Sequence, residues 1–366
     1  MEKKSCALLR LVVCSFVLIA LTTPPPAICK EWKVKFSAGY PPTSPFSIES
    51  RWYLENVAKN SDGRIKPEYY YGGSICKLGQ EMNAFRARTI DATCYPTSYS
   101  PASVPLMQIF DLTYLTTAID ANSKAVMDCY HRFAPLQKQF DSNNAVLLWS
   151  PPATNNTLWT TFPAPNMAAL KGKRIRATGW SGDVLSLFGA SAVALVWGDI
   201  YNSARTGVIS GAYGTPLALG WDSKFYEVMP YVTQTGAGTF GPVSFMVRKD
   251  LFDEFPPDLQ KVFLDWALRA EDESIKIVME ENAKAVADMA KRGIKCTIWS
   301  PEEVAKAAGL AKSVQFEKVM QKFVAEGMGN EAQQLKDMYL SVLNKLEKTS
   351  KYVNEFDYWH DKYGKN

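Results

Sequence analysis

The chain has 366 residues, of which 47% are hydrophobic, and a formal charge of +4. That length supports a sizeable buried core and about two domains. So mild a charge, with no long Lys/Arg run and no aromatics interleaved with a basic stripe, excludes nucleic acid as a partner.

Residues 1–29 read as an export leader. Lys3, Lys4 and Arg10 precede an apolar run from Leu11 to Leu21, which is shorter than the ~20 residues a spanning helix needs. Ala27-Ile28-Cys29 supplies a cleavage site, and Ile28 is bulky where a lipidated cysteine prefers a small neighbour. Cleavage with release is therefore expected, leaving a soluble protein outside the cytoplasm. Of seven cysteines, Cys6, Cys14 and Cys29 lie in the leader, leaving Cys76, Cys94, Cys129 and Cys296 widely spaced. Export permits a disulfide among them, though spacing does not pair it. No CxxC occurs and the only histidines are His131 and His360, so no zinc site is expected.

The mature chain opens on an alternating segment at 31–38 that reads as a strand running into Gly39-Tyr40-Pro41-Pro42. A helix is expected at 46–60, a strand at 65–71, a helix at 79–88 and a strand at 89–95 ending in Tyr95-Pro96-Thr97-Ser98. Short turns between alternating strands and helices imply a parallel sheet. A further helix at 119–133 and a strand at 145–149 lead to Pro151-Pro152, a crossover to a second lobe.

The second lobe is entered through Asn155-Asn156-Thr157-Leu158-Trp159 and organised around 170–213. Arg174-Ile175-Arg176 alternates as a strand, and Ala177-Thr178-Gly179 breaks it. Short helices stopped by Gly189 and Gly207 then enclose the apolar strand at 191–196, before a last strand reaches Tyr213. Open α/β layers present ligands at the carboxyl ends of their strands. Arg176 therefore stands where it can clamp a planar anion. Segments 225–231 and 240–247 lead the chain back. Phe255-Pro256-Pro257-Asp258 then starts a helix that nothing breaks before Gly293. At roughly 36 residues it is ~54 Å long, so it must run along both lobes as a spine. A strand at 294–299 and helices at 301–326 and 331–348 close the chain.

Gly236-Ala237-Gly238-Thr239-Phe240-Gly241 matches GxGxxG, but Pro242 and a strand-like Val-Ser-Phe-Met-Val follow it. A dinucleotide site needs a helix N-terminus there for the pyrophosphate. With no GxSxG, P-loop or HExxH either, the chain reads as a binder without enzymatic activity or cofactor.

Taken in order, several segments carry a resemblance. They are Asp62-Gly63-Arg64-Ile65, Leu78-Gly79, Phe110-Asp111-Leu112, Leu170-Lys171-Gly172-Lys173-Arg174-Ile175-Arg176, Phe188-Gly189-Ala190, Asp199-Ile200-Tyr201, Arg205-Thr206-Gly207-Val208, Lys224-Phe225-Tyr226-Glu227-Val228 and Phe255-Pro256-Pro257-Asp258. Together they resemble the periplasmic substrate-binding proteins of tripartite ATP-independent (TRAP) transporters, of the C4-dicarboxylate-binding type, over essentially all of the mature chain. The resemblance implies a two-lobed α/β clam-shell that acts as a monomer, binds a small organic anion and delivers it to the small and large TRAP membrane subunits. The lobes would comprise 30–152 plus 242–275 and 153–241 plus 282–310. The spine would occupy 256–292, with C-terminal helices at 311–366 packing on the lobes.

The family's carboxylate-gripping arginine falls on Arg176, and its pocket aromatic on Trp197. Tyr40 and Tyr95, at strand ends, should face the cleft from the first lobe, and Trp159 and Tyr213 from the second. Two departures stand out. Asn156 lies where many members carry a second arginine, and Gly214 replaces a usual asparagine. With fewer polar partners, the implied ligand is a monocarboxylate such as a 2-oxo or aromatic acid. C4-dicarboxylate or sulfonate binding, or a sensor input module for a membrane receptor, are the alternatives.

Overall fold

The computed structural model describes residues 30–239 and 241–363; the expected leader lies outside them. In chain order the first half gives β1 (Trp32–Ser37), α1 (Pro45–Lys59), β2 (Ile65–Tyr70), α2 (Glu81–Arg86), β3 (Ala92–Pro96), α3 (Ile119–Arg132), α4 (Ala134–Asp141) and β4 (Ala145–Trp149). Then come β5 (Asn155–Thr160), β6 (Arg174–Arg176), α5 (Trp180–Leu187), β7 (Ser191–Val193), α6 (Ile200–Arg205), β8 (Gly211–Thr215), α7 (Leu217–Asp222) and β9 (Tyr231–Thr239). The chain ends with β10 (Val243–Arg248), α8 (Lys249–Glu254), α9 (Pro257–Lys291), β11 (Lys295–Ile298), α10 (Pro301–Ala325), α11 (Gly329–Glu347) and α12 (Glu355–Tyr363).

The strands form two sheets, ordered β2-β1-β3-β10-β4 and β11-β9-β5-β8-β6-β7. In the first, β1 runs parallel to β2 and β3, as the alternating strand–helix pattern requires. Antiparallel β10 returns from the far lobe and slots between β3 and β4. In the second, β6 is parallel to β7 and β8, whereas β5 runs antiparallel to β8 and β9. The fold is the expected α/β arrangement with two sheets.

Local chemistry sets the helix that leads from β1 toward the cleft. Ser44 caps α1 by accepting from the Ser47 N–H at 3.2 Å, and Pro45 occupies its first turn. Phe46, Tyr53, Leu54 and Val57 then fall on one buried stripe, and the Tyr53 hydroxyl donates to the Phe263 carbonyl of α9 at 2.9 Å. The spine α9 has 35 residues. Its buried positions Leu259, Phe263, Ala267, Ala270, Ser274, Val278 and Asn282 recur every three or four residues and make one continuous seam.

The sequence leaves β9 unrecognised because Gly236, Gly238 and its threonines look like a loop. Pairing with β5 on one side and β11 on the other makes it a central strand. The GxGxxG match thus starts within strand β9. Short helices α4, α7 and α12 are likewise absent from the sequence reading. Cys76, Cys94, Cys129 and Cys296 are all free thiols. Among the described residues no helix is long and apolar enough to cross a membrane.

Candidate functional site

Arg176 ends β6 and is 0% exposed. Its Nε donates to the Leu195 carbonyl at 3.0 Å, and Nη1 to the Tyr213 carbonyl at 3.4 Å. Nη2 reaches the other lobe, donating to the Tyr99 hydroxyl at 2.8 Å. All three acceptors are neutral, and Arg176 makes no ion pair among the described residues. The guanidinium carbon lies 5.9 Å from the Tyr99 ring centre and 6.0 Å from that of Trp197. A buried guanidinium flanked by ring faces and facing only neutral acceptors retains its full appetite for an anion.

Trp197 follows β7 in a short 3-10 turn and anchors an aromatic wall. It stacks on Phe225 at 5.1 Å and meets Tyr40 edge-on at 6.1 Å across the lobes, while its indole N–H donates to Ser223 Oγ at 3.0 Å. The Tyr40 hydroxyl is buried without a hydrogen-bond partner among the described residues. Burial pushes its phenol well up, and Arg176 offsets this only in part, so Tyr40 is a neutral donor. One hydrophobic cluster runs from Phe36 and Tyr40 through Trp197 and Phe225 to Val232, joining the two sheets.

The remaining expected residues take different positions. Asn156 donates from Nδ2 to the Thr239 carbonyl at 2.9 Å, leaving its buried Oδ1 without a partner. Gly214 has φ of 71° and sits where the β5–β8 register slips, offering backbone alone. Tyr213 turns its ring into the second-lobe core, with its hydroxyl 3.3 Å from Thr235 Oγ1, and serves Arg176 through its carbonyl. Trp159 packs edge-on behind Phe225 at 6.2 Å, backing the aromatic wall. Tyr95 belongs to the first-lobe core and donates to the Ser100 carbonyl at 3.1 Å, which braces the turn carrying Tyr99. The structure thus gathers Arg176, Trp197 and Tyr40, and brings neither the Tyr95 nor the Trp159 ring to the guanidinium.

Tyr99 is the residue that sequence reasoning missed. It stands just beyond Tyr95-Pro96-Thr97-Ser98, at the carboxyl end of β3, where strand-end logic places ligand contacts. The first lobe also carries two carboxyls that burial keeps from ionising. Glu49 of α1 is fully buried, with neither oxygen partnered and its pKa pushed well up. Glu81 is raised to about 8 by burial, against hydrogen bonds from backbone N–H groups including Gly79. At neutral pH neither sets a full negative charge against an incoming anion.

Residues 36–322 match the bacterial extracellular solute-binding proteins of family 7. The chain belongs to that family. A solute-binding protein from Verminephrobacter eiseniae is 24% identical over 282 residues, covering 75% of this chain and 82% of that one. Among solved structures, a TRAP solute-binding protein from Rhodoferax ferrireducens in complex with copurified benzoate superposes with a TM-score of 0.79 at 18% identity, covering 87% of this chain and 99% of that chain. A marine-metagenome TRAP solute-binding protein specific for aromatic acids, in complex with metahydroxyphenylacetate, gives 0.78 at 18% identity, with 86% and 99% covered. The solute-binding family accounts for the two-sheet α/β fold.

Proposed function

We propose that this solute-binding protein takes up a small monocarboxylate with an aromatic or otherwise weakly polar body, outside the cytoplasm, and delivers it to TRAP membrane subunits. The observation that carries this reading is Arg176, fully buried and bonded only to neutral oxygens. A carboxylate entering between Nη2 and the Tyr99 hydroxyl would meet a guanidinium fork and a phenol that switches from acceptor to donor. Charge-assisted bonds in so dry a setting are strong. Tyr40, Trp197 and Phe225 offer ring faces and edges to a flat organic body, and Tyr40 keeps one spare hydroxyl for it.

A dicarboxylate would need a second cation, and the position expected for it holds Asn156, engaged with Thr239. The two similar structures with aromatic-acid ligands support the same choice. Calorimetry with benzoate and 3-hydroxyphenylacetate against succinate and benzenesulfonate tests it. We expect the monocarboxylates to bind, and Arg176→Ala to cost about 2–5 kcal/mol of affinity. Binding confined to succinate would overturn the reading.

A further inference from the structure

The two halves exchange aromatic residues beside the cleft. Trp180, first residue of α5 in the second sheet's layer, is 8% exposed and buries its ring in the first-lobe core with Tyr95, Phe110 and Met246. Tyr114, just past Asp111, buries its ring in the second-lobe core with Leu158, Tyr213 and Trp299. Asp111 ends the 3-10 turn over Pro105–Asp111, three residues before Tyr114. Its carboxylate faces the Trp180 backbone N–H at the start of α5.

The slot holding this carboxylate is built from two missing side chains. A Cβ on Gly179, which has φ of 56°, would stand 2.4 Å from Asp111 Oδ2. A Cβ on Gly241, in the crossover between β9 and β10, would stand 1.7 Å from Oδ1. Both distances are far inside van der Waals contact, so only glycine at both positions lets the carboxylate seat. Gly179 follows Arg176 by three residues, so whatever holds Asp111 also holds the loop leading out of the anion-gripping strand.

We infer that Asp111 is a positioning residue: seated against Gly179 and Gly241, it latches the α5 end of the second lobe onto the first and keeps the closed cleft populated even before solute binds. The latch adds an interlobe hold that involves no solute-gripping group. It rests on the solute-receptor reading only in that closure serves binding.

The seat also makes closure respond to protons. Asp111 keeps part of its surface in solvent, yet packing around the carboxylate raises its pKa from the usual 3.8 to about 7, against a lowering by the Trp180 N–H. Among the described residues no charged side chain offsets this burial. On the elements packed around it, Asp183 of α5 is tied to Lys318 of α10 at 2.7 Å, and Arg176 is turned to Tyr99, Leu195 and Tyr213. The closed form therefore binds the Asp111 proton more tightly than an open form with the carboxyl in water. Closure is favoured fully below about 4 and loses that contribution as pH rises toward 7, levelling off above it.

Spin labels at Lys59→Cys and Arg205→Cys, both exposed positions, report the distance between lobes in dialysed protein without added solute. Cys296 is replaced by serine to keep the labelling clean. The expected result is a short-distance population whose ratio to the long-distance one falls more than tenfold between pH 5 and pH 8 (a 1-unit pKa difference being worth about tenfold). Asp111→Asn should keep that population and flatten its pH response, because a carboxamide oxygen still accepts from Trp180 and cannot ionise. Asp111→Ala and Gly241→Ala should each deplete it several-fold at pH 5, with circular dichroism checking that both variants fold. No short-distance population in the parent protein, or one that neither Asp111→Ala nor Gly241→Ala diminishes, would overturn the latch. Neither result depends on which solute binds, so the latch can fail while the receptor reading stands.

Discussion

At the scale of single residues, function depends on which polar groups find partners inside the fold. Arg176 has neutral partners only, and Tyr99 is the one that comes from the other lobe. Replacing Tyr99 by phenylalanine keeps the ring beside the guanidinium but removes its hydroxyl. We expect Tyr99→Phe to weaken monocarboxylate binding by about 1 kcal/mol in calorimetry, the usual net worth of one hydrogen bond. Glu49 is the opposite case, a buried acid that nothing satisfies. Its folded pKa is raised well above 4.5, so the folded protein holds a proton that the unfolded chain releases above that value. Stability from this group is therefore highest at low pH and declines as pH climbs from about 4.5 toward the folded value. Glu81, at about 8, adds a decline of the same sign. Glu49→Gln should melt at a temperature that falls less between pH 5 and pH 8 than the parent's does. An equal fall would mean that Glu49 ionises without penalty in the folded state.

At the scale of elements, what was legible in the sequence followed periodicity. The spine was readable because Pro257 opens it, no breaker interrupts it before Gly293, and the apolar residues Leu259, Val262, Phe263, Trp266, Ala267 and Ala270 keep helical spacing. β1, β4 and β6 were readable from alternation or compact apolar runs. β9 was not, because its identity comes from two neighbours supplying ladder partners to a glycine- and threonine-rich segment. Tertiary pairing overrode local propensity there. The site divides along the same line. Arg176 and Trp197 were legible from motif position, whereas Tyr99 lies on a 3-10 turn that carries no periodic pattern. Tyr95 and Trp159 sit at tempting positions, yet the pleat turns one ring into the first-lobe core and the other behind Phe225. The spine itself can be tested. Phe263 is 0% exposed, stacks on Phe255 at 5.0 Å and shares the seam that holds α1. Phe263→Ala should cost about 3–5 kcal/mol, seen as a shift of the denaturant midpoint with an unchanged slope. A loss below 1 kcal/mol would mean that the seam tolerates a large void.

For the molecule as a whole, two sheets, two strand crossovers and a shared spine bring groups from both lobes around a buried cation. Arg176 meets Tyr99 there, Tyr40 meets Trp197, and Thr43 of the first lobe donates to Asp222 of the second at 3.1 Å. A solute shifts such a cleft toward closure only by its preference for the closed form. Selectivity must then come from what the closed space satisfies: one anion, flat apolar faces and a few neutral donors. The central claim is that Arg176 holds the carboxylate of a monocarboxylic solute. Mass spectrometry of the small molecules released on denaturing the purified protein tests it most directly. We predict a monocarboxylic acid at near-equal molar ratio with the protein, absent from the Arg176→Ala variant. A dicarboxylate or an uncharged solute, recovered equally from both proteins, would contradict the account.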